Sequence, residues 1–443
     1  MAQDAANTHH ETERGLSCMK RLFSLLVAML MLISCVAFAE EAAEEVIPPP
    51  NPVDAKIVTK VIDEGQIING VRIEFDGEWT TGTLTTSSFT VNGFSVVQLY
   101  INNSGRPGEA EYTGKYVFAM FDEPMGIGGG TYGTLQYSMD TGTNSAPRDL
   151  TLNISYNSTI IDAKGYVHAE VDDFIEGSVT DDNGYTTNYR LFVPEDKEAT
   201  LPLVIWLHGA GERGDNNFTQ IAANRGALNY ATLDSQAEHP CYVLAPQAHA
   251  KTEEDNGGWN EPAVANIGTI VKNLLAEYPI DASRIYVTGC SMGGMGTKSM
   301  MKAFPDMVAA AVVIANGSFL EDETELATVK DIPTIIITGA ADSKGEADNT
   351  MVANHKLVTD LGYKAVAFLT ERGRNGYLRG EAAARDLKPV IDEMTETGSI
   401  WAYVTYLADT VVPSAHWSWM AASENETLHD WMFAQVKAVP FGG

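Results

Sequence analysis

The pattern of apolar and polar positions changes character three times along the chain. An apolar run from Leu22 to Val36 follows Lys20-Arg21 and ends at Ala37-Phe38-Ala39. A basic start, an apolar middle and a small-x-small exit make up a secretory signal, so residues 1–39 are assigned to upstream sequence and signal peptide rather than to a fold. Met19 fits as the true start, which leaves Met1 to Cys18, with His9-His10, outside any metal-site reading. A competing pattern is Leu32-Ile33-Ser34-Cys35, a lipoprotein-like box whose cysteine would carry a lipid anchor. Apolar Val36 to Phe38 directly after Cys35 favours ordinary cleavage at Ala39 and a secreted or periplasmic protein. Residues 40–54, acidic and containing Pro48-Pro49-Pro50, read as a linker.

From 55 to 171 the pattern is short runs rich in Val, Ile, Thr, Tyr and Phe, broken by Gly, Asn and Asp. Val71 to Phe75, Phe89 to Val91, Val96 to Ile101, Tyr116 to Phe121, Leu150 to Tyr156 and Gly165 to Val171 are the strand candidates. Frequent turn signals without helical periodicity predict an all-β sandwich. The Gly126 to Gly130 cluster lacks the strand-then-helix setting of a phosphate loop and reads as a turn.

From 172 to 443 the texture becomes α/β. Asp181-Asp182-Asn183-Gly184 predicts a hairpin; a calcium loop would need spaced acidic ligands that are missing. Continuous apolar runs then alternate with helical patterns: strands over Leu203–Leu207, Tyr242–Ala245, Ile285–Thr288, Ala309–Ala315, Thr334–Thr338 and Trp401–Leu407, and helices over Pro262–Tyr278 and Met292–Ala303. A closing helix holds Leu428 to Val436. Strands that are apolar on both faces, with helices between them, predict a mostly parallel, doubly wound sheet.

Composition narrows the partners. The chain has 443 residues, 44% of them hydrophobic, and a formal net charge of −30. Acidity of that size makes nucleic acid and anionic membrane poor partners and leaves a membrane role only to lipidation at Cys35. Of the four cysteines, Cys241 and Cys290 lie beyond the signal segment, too few for a disulfide scaffold, and both read as buried small hydrophobes.

The candidate chemistry begins at Gly289-Cys290-Ser291-Met292-Gly293, a Gly-x-Ser-x-Gly turn between a predicted strand and a predicted helix. Glycines flanking a serine allow the sharp turn that lifts its hydroxyl above the sheet, and Ser291 is the candidate nucleophile. A serine hydroxyl needs a histidine to take its proton and a carboxylate to orient that histidine. In this architecture the chain order is Ser, acid, His. Asp342, just past the strand Thr334–Thr338, is the first choice of acid, with Asp409 and Asp348 as alternatives. His416, in the loop after Trp401–Leu407, is the candidate base. His429 falls inside the closing helix and reads as a surface residue, and His355 precedes the last strand. The Met292 N–H is a candidate oxyanion donor, joined by Ala210 or Gly211 in the small-residue loop after Leu203–Leu207. His208, at that strand's end, reads as a structural histidine bonded to backbone. Glu212 and Arg213 read as a local ion pair shaping the loop.

Four blocks, His208-Gly-Ala-Gly-Glu-Arg-Gly214, Pro240-Cys-Tyr-Val-Leu-Ala-Pro-Gln247, Arg284 to Gly294 and His416-Trp-Ser-Trp419, resemble the secreted esterases and predicted peptidases related to polyhydroxybutyrate depolymerases, members of the α/β-hydrolase superfamily. Some of these carry an immunoglobulin-like domain ahead of the hydrolase, matching residues 55–171. The resemblance covers residues 172–443 by specific blocks and the first half by general pattern. It implies a serine carboxylic-ester hydrolase with the triad Ser291, Asp342 and His416 and no cofactor. Residues 371–398, between Asp342 and His416, depart from the family pattern and read as an insertion or cap near the pocket mouth. Trp259 and Trp417 are candidate substrate contacts, with Trp419 nearby; packing is the alternative. The expected substrate is a short-acyl ester, free or linked to a polysaccharide as acetyl or feruloyl. A serine peptidase of the same fold and a non-catalytic surface-binding protein remain the alternatives. The first domain reads as a spacer or a module for forming a homo-oligomer, with carbohydrate binding as its sharper alternative.

Overall fold

The computed structural model describes residues 49–122, 133–250, 257–316, 319–342 and 347–442. The predicted signal segment, Cys35, the Gly126 to Gly130 cluster and the Asp348 side chain lie outside the described residues.

The first region holds β1 (Pro52–Ile62), β2 (Gly65–Thr80), β3 (Thr90–Val91), β4 (Val96–Asn102), β5 (Thr113–Phe121), β6 (Tyr137–Ser138), β7 (Thr143–Asn144), β8 (Thr151–Tyr156), β9 (Thr159–Lys164) and β10 (Tyr166–His168). One sheet runs β10-β1-β2-β5-β4, a second runs β3-β8-β9, and β6 and β7 form a separate ribbon. Ile57, Val71, Ile73 and Val117 from the first sheet meet Val91, Ile154 and Ala163 from the second in one core, which is the expected sandwich. β1 begins at Pro52, inside the stretch read as linker. Proline has no N–H to give to a ladder, and a strand's first residue is one of the places that tolerates this.

The second region holds β11 (Phe174–Thr180), β12 (Thr186–Phe192), β13 (Leu201–Leu207), β14 (Tyr242–Gln247), β15 (Ile280–Cys290), β16 (Val308–Ile314), β17 (Thr334–Gly339), β18 (Ala365–Phe368) and β19 (Trp401–Tyr406). Their order is β11-β12-β14-β13-β15-β16-β17-β19-β18, with β11 and β12 antiparallel and the rest parallel. The hairpin between β11 and β12 turns where expected: Asp181 accepts from the N–H groups of Asn183 and Tyr185, both at 2.8 Å.

The helices are α1 (Thr219–Ala222), α2 (Leu233–Glu238), α3 (Glu261–Glu277), α4 (Met292–Ala303), α5 (Glu323–Val329), α6 (Ala347–Asp360), α7 (Gly380–Thr397), α8 (Trp419–Ala422) and α9 (Glu426–Phe433). Along each central strand alternate residues feed two cores. Val204, Tyr286, Val312, Ile335 and Val404 join α7 and α9 on one face. Leu203, Ile285, Ala311, Ile336 and Tyr403 join α3, α4 and α6 on the other. The central strands, covered on both faces, reach solvent only at their ends.

Two expectations fail here. The stretch 371–398 is not a cap. Its main element, α7, buries Ala383, Leu387, Val390 and Met394 against the sheet and links β18 to β19 as an ordinary layer helix. Its charged residues face outward, and that face is what reads as detachable in the sequence. His429 is buried rather than on the surface. It lies 2.9 Å from the Ser423 carbonyl and packs on the Tyr230 ring, and burial lowers its pKa to about 4.

Candidate active site

Ser291 stands between β15 and α4 with φ 57° and ψ −116°, a conformation that a non-glycine residue adopts only under constraint. The constraint is visible on both sides. The Ser291 N–H donates to the Ile314 carbonyl at 2.9 Å, and α4 presses so close to β13 that a Cβ at Gly293 would lie 1.8 Å from the Leu207 carbonyl oxygen. The turn therefore holds the serine hydroxyl up at the carboxyl ends of the parallel strands. Met292 opens α4, so its N–H has no acceptor within the helix.

Asp342 follows β17 and is buried. The Thr338 hydroxyl donates to its Oδ2 at 3.2 Å. His416 sits in a short 3₁₀ turn, Ala415–Trp417, and its own N–H donates to the Ser414 hydroxyl that caps the turn. That turn lies against the end of β17, where a Cβ at Gly339 would come within 2.2 Å of the Ala415 carbonyl. The result is a continuous line of contacts. His416 Nδ1 is 2.8 Å from Asp342 Oδ2, and His416 Nε2 is 2.8 Å from Ser291 Oγ. Nδ1 donating to the carboxylate leaves Nε2 free to accept the serine proton. The three side chains come from positions far apart in sequence, after β15, β17 and β19. Asp409 is exposed, in the turn after β19, and Asp342 occupies the position beside the histidine.

The loop after β13 is built by side chains gripping its carbonyls. His208 is fully buried; its Nε2 accepts from the Ala248 N–H at 2.9 Å and its Nδ1 therefore donates to the Gly209 carbonyl at 2.7 Å. Burial lowers its pKa to about 4, so the ring is neutral and structural, as expected from the sequence. The expected ion pair between Glu212 and Arg213 is not formed. Arg213 Nε donates to the Ala210 carbonyl at 2.8 Å, while Glu212 turns inward to accept from Asn224 at 2.5 Å. Neighbours in a 3₁₀ turn point to different sides, so adjacency in sequence was a poor guide. Burial raises the Glu212 pKa against the opposing pull of the Asn224 bond.

Cys241 and Cys290 are both buried and unbridged, as small hydrophobes. Burial holds the Cys290 thiol well above its usual range, so the residue beside Ser291 stays protonated and does not compete as a nucleophile. Trp259 is not an open binding surface. It is 8% exposed, donates Nε1–H to the His208 carbonyl at 3.1 Å, and fills the space beneath α4. Trp417 is half-buried and stacks on Trp419 at 5.3 Å, and Trp419 in turn meets the His416 ring edge-on at 5.7 Å. Sequence reasoning missed Thr338, whose hydroxyl faces Asp342, and Asn144, which reaches the Gly211 carbonyl from the first region. The strand pattern of β17 hides the first, and no local signal marks the second. Among the described residues no cluster of three or more His, Cys, Asp or Glu is placed to hold a metal ion, and no helix is long and apolar enough to cross a membrane.

Comparison with known proteins points to esterases. Residues 54–169 match the family described as "Esterase Ig-like N-terminal domain". Over 143 residues, 30% of the chain, the sequence is 34% identical to poly(3-hydroxyalkanoate) depolymerase C of Paucimonas lemoignei and covers 32% of that protein. Over 147 residues, 32% of the chain, it is 29% identical to acetylxylan esterase A of Aspergillus awamori and covers 46% of it. The chain thus spans less than half the length of either relative. A solved thermostable esterase is 27% identical, with a TM-score of 0.64 over 87% of this chain and 100% of its own. The resemblance to esterases of the polyhydroxybutyrate-depolymerase type is borne out, and so is the fold: an immunoglobulin-like sandwich followed by an α/β-hydrolase sheet.

Proposed function

We propose that the chain is a serine carboxylic-ester hydrolase acting on short-acyl esters, with Ser291 as nucleophile, His416 as general base and then acid, and Asp342 orienting the imidazole. The observation that supports this most is the pair of 2.8 Å contacts linking Asp342, His416 and Ser291 in one line. Ser291 Oγ attacks the ester carbonyl carbon as its proton passes to His416 Nε2. The N–H groups of Met292 and of Ala210 or Gly211 donate to the oxyanion. Collapse breaks the bond to the alcohol, which leaves with the proton from His416, and the acyl group remains on Ser291. Water, activated by His416, then attacks the acyl-enzyme and releases the acid. Of the similar curated proteins, one is named a poly(3-hydroxyalkanoate) depolymerase and the other an acetylxylan esterase, and this favours an ester over a peptide. Acetyl groups on a polysaccharide are the substrate class we infer, with Trp417, at the end of the histidine turn, as the candidate aromatic contact. The segment 1–39 would direct export to where such polymers lie.

The test is turnover of p-nitrophenyl acetate and butyrate, with acetylated xylan, feruloylated xylan and a peptide amide alongside. Wild type should hydrolyse the short esters and bind a fluorophosphonate probe covalently. Ser291→Ala should lose at least about 10⁴-fold in kcat and fail to label. A wild-type protein inert to esters and probe, or equal rates in the mutant, ends the proposal.

A further inference from the structure

We propose that Asn144, a side chain of the β-sandwich, is a positioning residue for the oxyanion loop of the α/β region. The inference rests on the ester-hydrolase reading above and extends the site to a residue of the other region.

A trans peptide sets its N–H antiparallel to its C=O, so whatever grips a carbonyl also aims the N–H on the other side of that plane. In the loop after β13 the carbonyls of Gly209, Ala210, Gly211 and Glu212 are each gripped by a side chain. Gly209 O accepts from His208 Nδ1, which aims the Ala210 N–H. Ala210 O accepts from Arg213 Nε, which aims the Gly211 N–H. Gly211 O accepts from Asn144 Nδ2 at 3.1 Å, and Glu212 O accepts from Thr219 Oγ1 and Gln247 Nε2 at 3.0 and 3.1 Å. Glycine is the residue least able to hold its own conformation. Gly211 has one flanking plane fixed by Arg213 and the other by Asn144, so its backbone is restrained only while both bonds stand. All the other grips come from the α/β region; the grip on Gly211 O crosses from the sandwich.

The first region presents Asn144 on the β6–β7 ribbon. β6 and β7 pair Tyr137 with Asn144, the turn is closed by Gly142 N–H to Ser138 O at 2.8 Å, and the flank by Ser145 N–H to Gln136 O at 2.9 Å. The hairpin also touches the second grip, since a Cβ at Gly142 would lie 3.7 Å from the Arg213 guanidinium. The Tyr137 ring lies over Gly211, 3.7 Å from where its Cβ would be. Gly211 O can only accept, so the amide nitrogen of Asn144 must face it, and an aspartate of the same shape would turn an attraction into a repulsion.

The experiment compares wild type, Asn144→Asp and Asn144→Leu in the full chain. Steady-state kinetics on p-nitrophenyl acetate, the inhibition constant of an aryl trifluoromethyl ketone and thermal unfolding are measured on each. The ketone forms a tetrahedral adduct whose oxyanion needs the same donors as the transition state. Loss of a whole oxyanion donor costs about 10²- to 10³-fold, so loosening one should lower kcat about tenfold. The ketone should weaken by a similar factor, with KM and the unfolding temperature close to wild type. An unchanged kcat in both variants, or a loss of rate that tracks loss of folded protein with ketone affinity unchanged, overturns the role of Asn144 alone. No turnover by wild type overturns the hydrolase reading and this inference with it.

Discussion

The two regions use β-structure in opposite ways. The sandwich keeps one core between two small sheets and leaves outer faces wet, so that Val97, Tyr112 and Ile160 stand more than half exposed. The α/β sheet is covered on both sides, and β13, β14, β16, β17 and β19 are buried along their whole length. A sandwich can carry functional side chains on any exposed face or loop. A doubly covered parallel sheet can offer them only at strand ends, and Ser291, Asp342 and His416 all follow carboxyl ends of parallel strands.

That contrast breaks if chemistry at those ends proves dispensable. The largest effect is expected from Asp342→Asn. The amide keeps the shape but presents a donor to Nδ1 and favours the wrong imidazole tautomer, and kcat on p-nitrophenyl acetate should fall about 10⁴-fold with unfolding unchanged. A mutant within tenfold of wild type would remove Asp342 from the relay.

A pair of glycines tests the packing side of the same contrast. Gly293 is required for space, because its Cβ would collide with the Leu207 carbonyl of a covered strand. Gly165 in the sandwich is required only for conformation, at φ +69° with nothing near its Cβ. Gly293→Ala should destabilise by about 3 kcal/mol or more, since strand and helix must part. Gly165→Ala should cost about 1–2 kcal/mol. Urea unfolding measures both, and equal losses would mean that the two regions resist close packing alike.

How much of this could be read from residues alone follows the same division. Continuous apolar runs made the central parallel strands legible, and α4 was located to the residue because glycines and a serine mark its start. β18 was missed: four residues at the sheet edge, half of them only partly buried, carry too little pattern. α7 was not legible as a layer of the fold, because its apolar stripe is narrow and its charges dominate the composition. The meeting of Ser291, Asp342 and His416 was legible because fold order restricts where an acid and a histidine can stand after the serine turn. Asn144 was not, since a contact across two regions leaves no trace in local spacing. Trp259 was misjudged for a related reason: its loop leads toward the site, yet its ring turns under α4 into the core.

Buried histidines sharpen the comparison at the level of single protons. His429 in the α/β region and His168 in the sandwich are both lowered by burial, His429 to about 4 with Ser423 and Asp430 opposing and His239 assisting. His168 is nearer solvent and is held toward its usual range by Asp172. An unfolded chain protonates histidine near pH 6.5, whereas folded His429 does so only near 4. Above about pH 6.5 neither state takes the proton and the stability is fully present. As pH falls from there toward 4 the unfolded state gains a proton that the folded state refuses, so stability drains by at most about 1.4 kcal/mol per pH unit and levels off near 4. His429→Gln keeps a donor for the Ser423 carbonyl but has nothing to titrate. The gap in unfolding temperature between wild type and His429→Gln should therefore shrink as pH is lowered from 6.5 to 4, and the gap for His168→Gln should change less. Taking the difference cancels Glu212, whose raised pKa acts with the opposite sign in both proteins. A gap for His429→Gln that stays constant over that range would mean that the covered face of the sheet admits water as readily as the sandwich does.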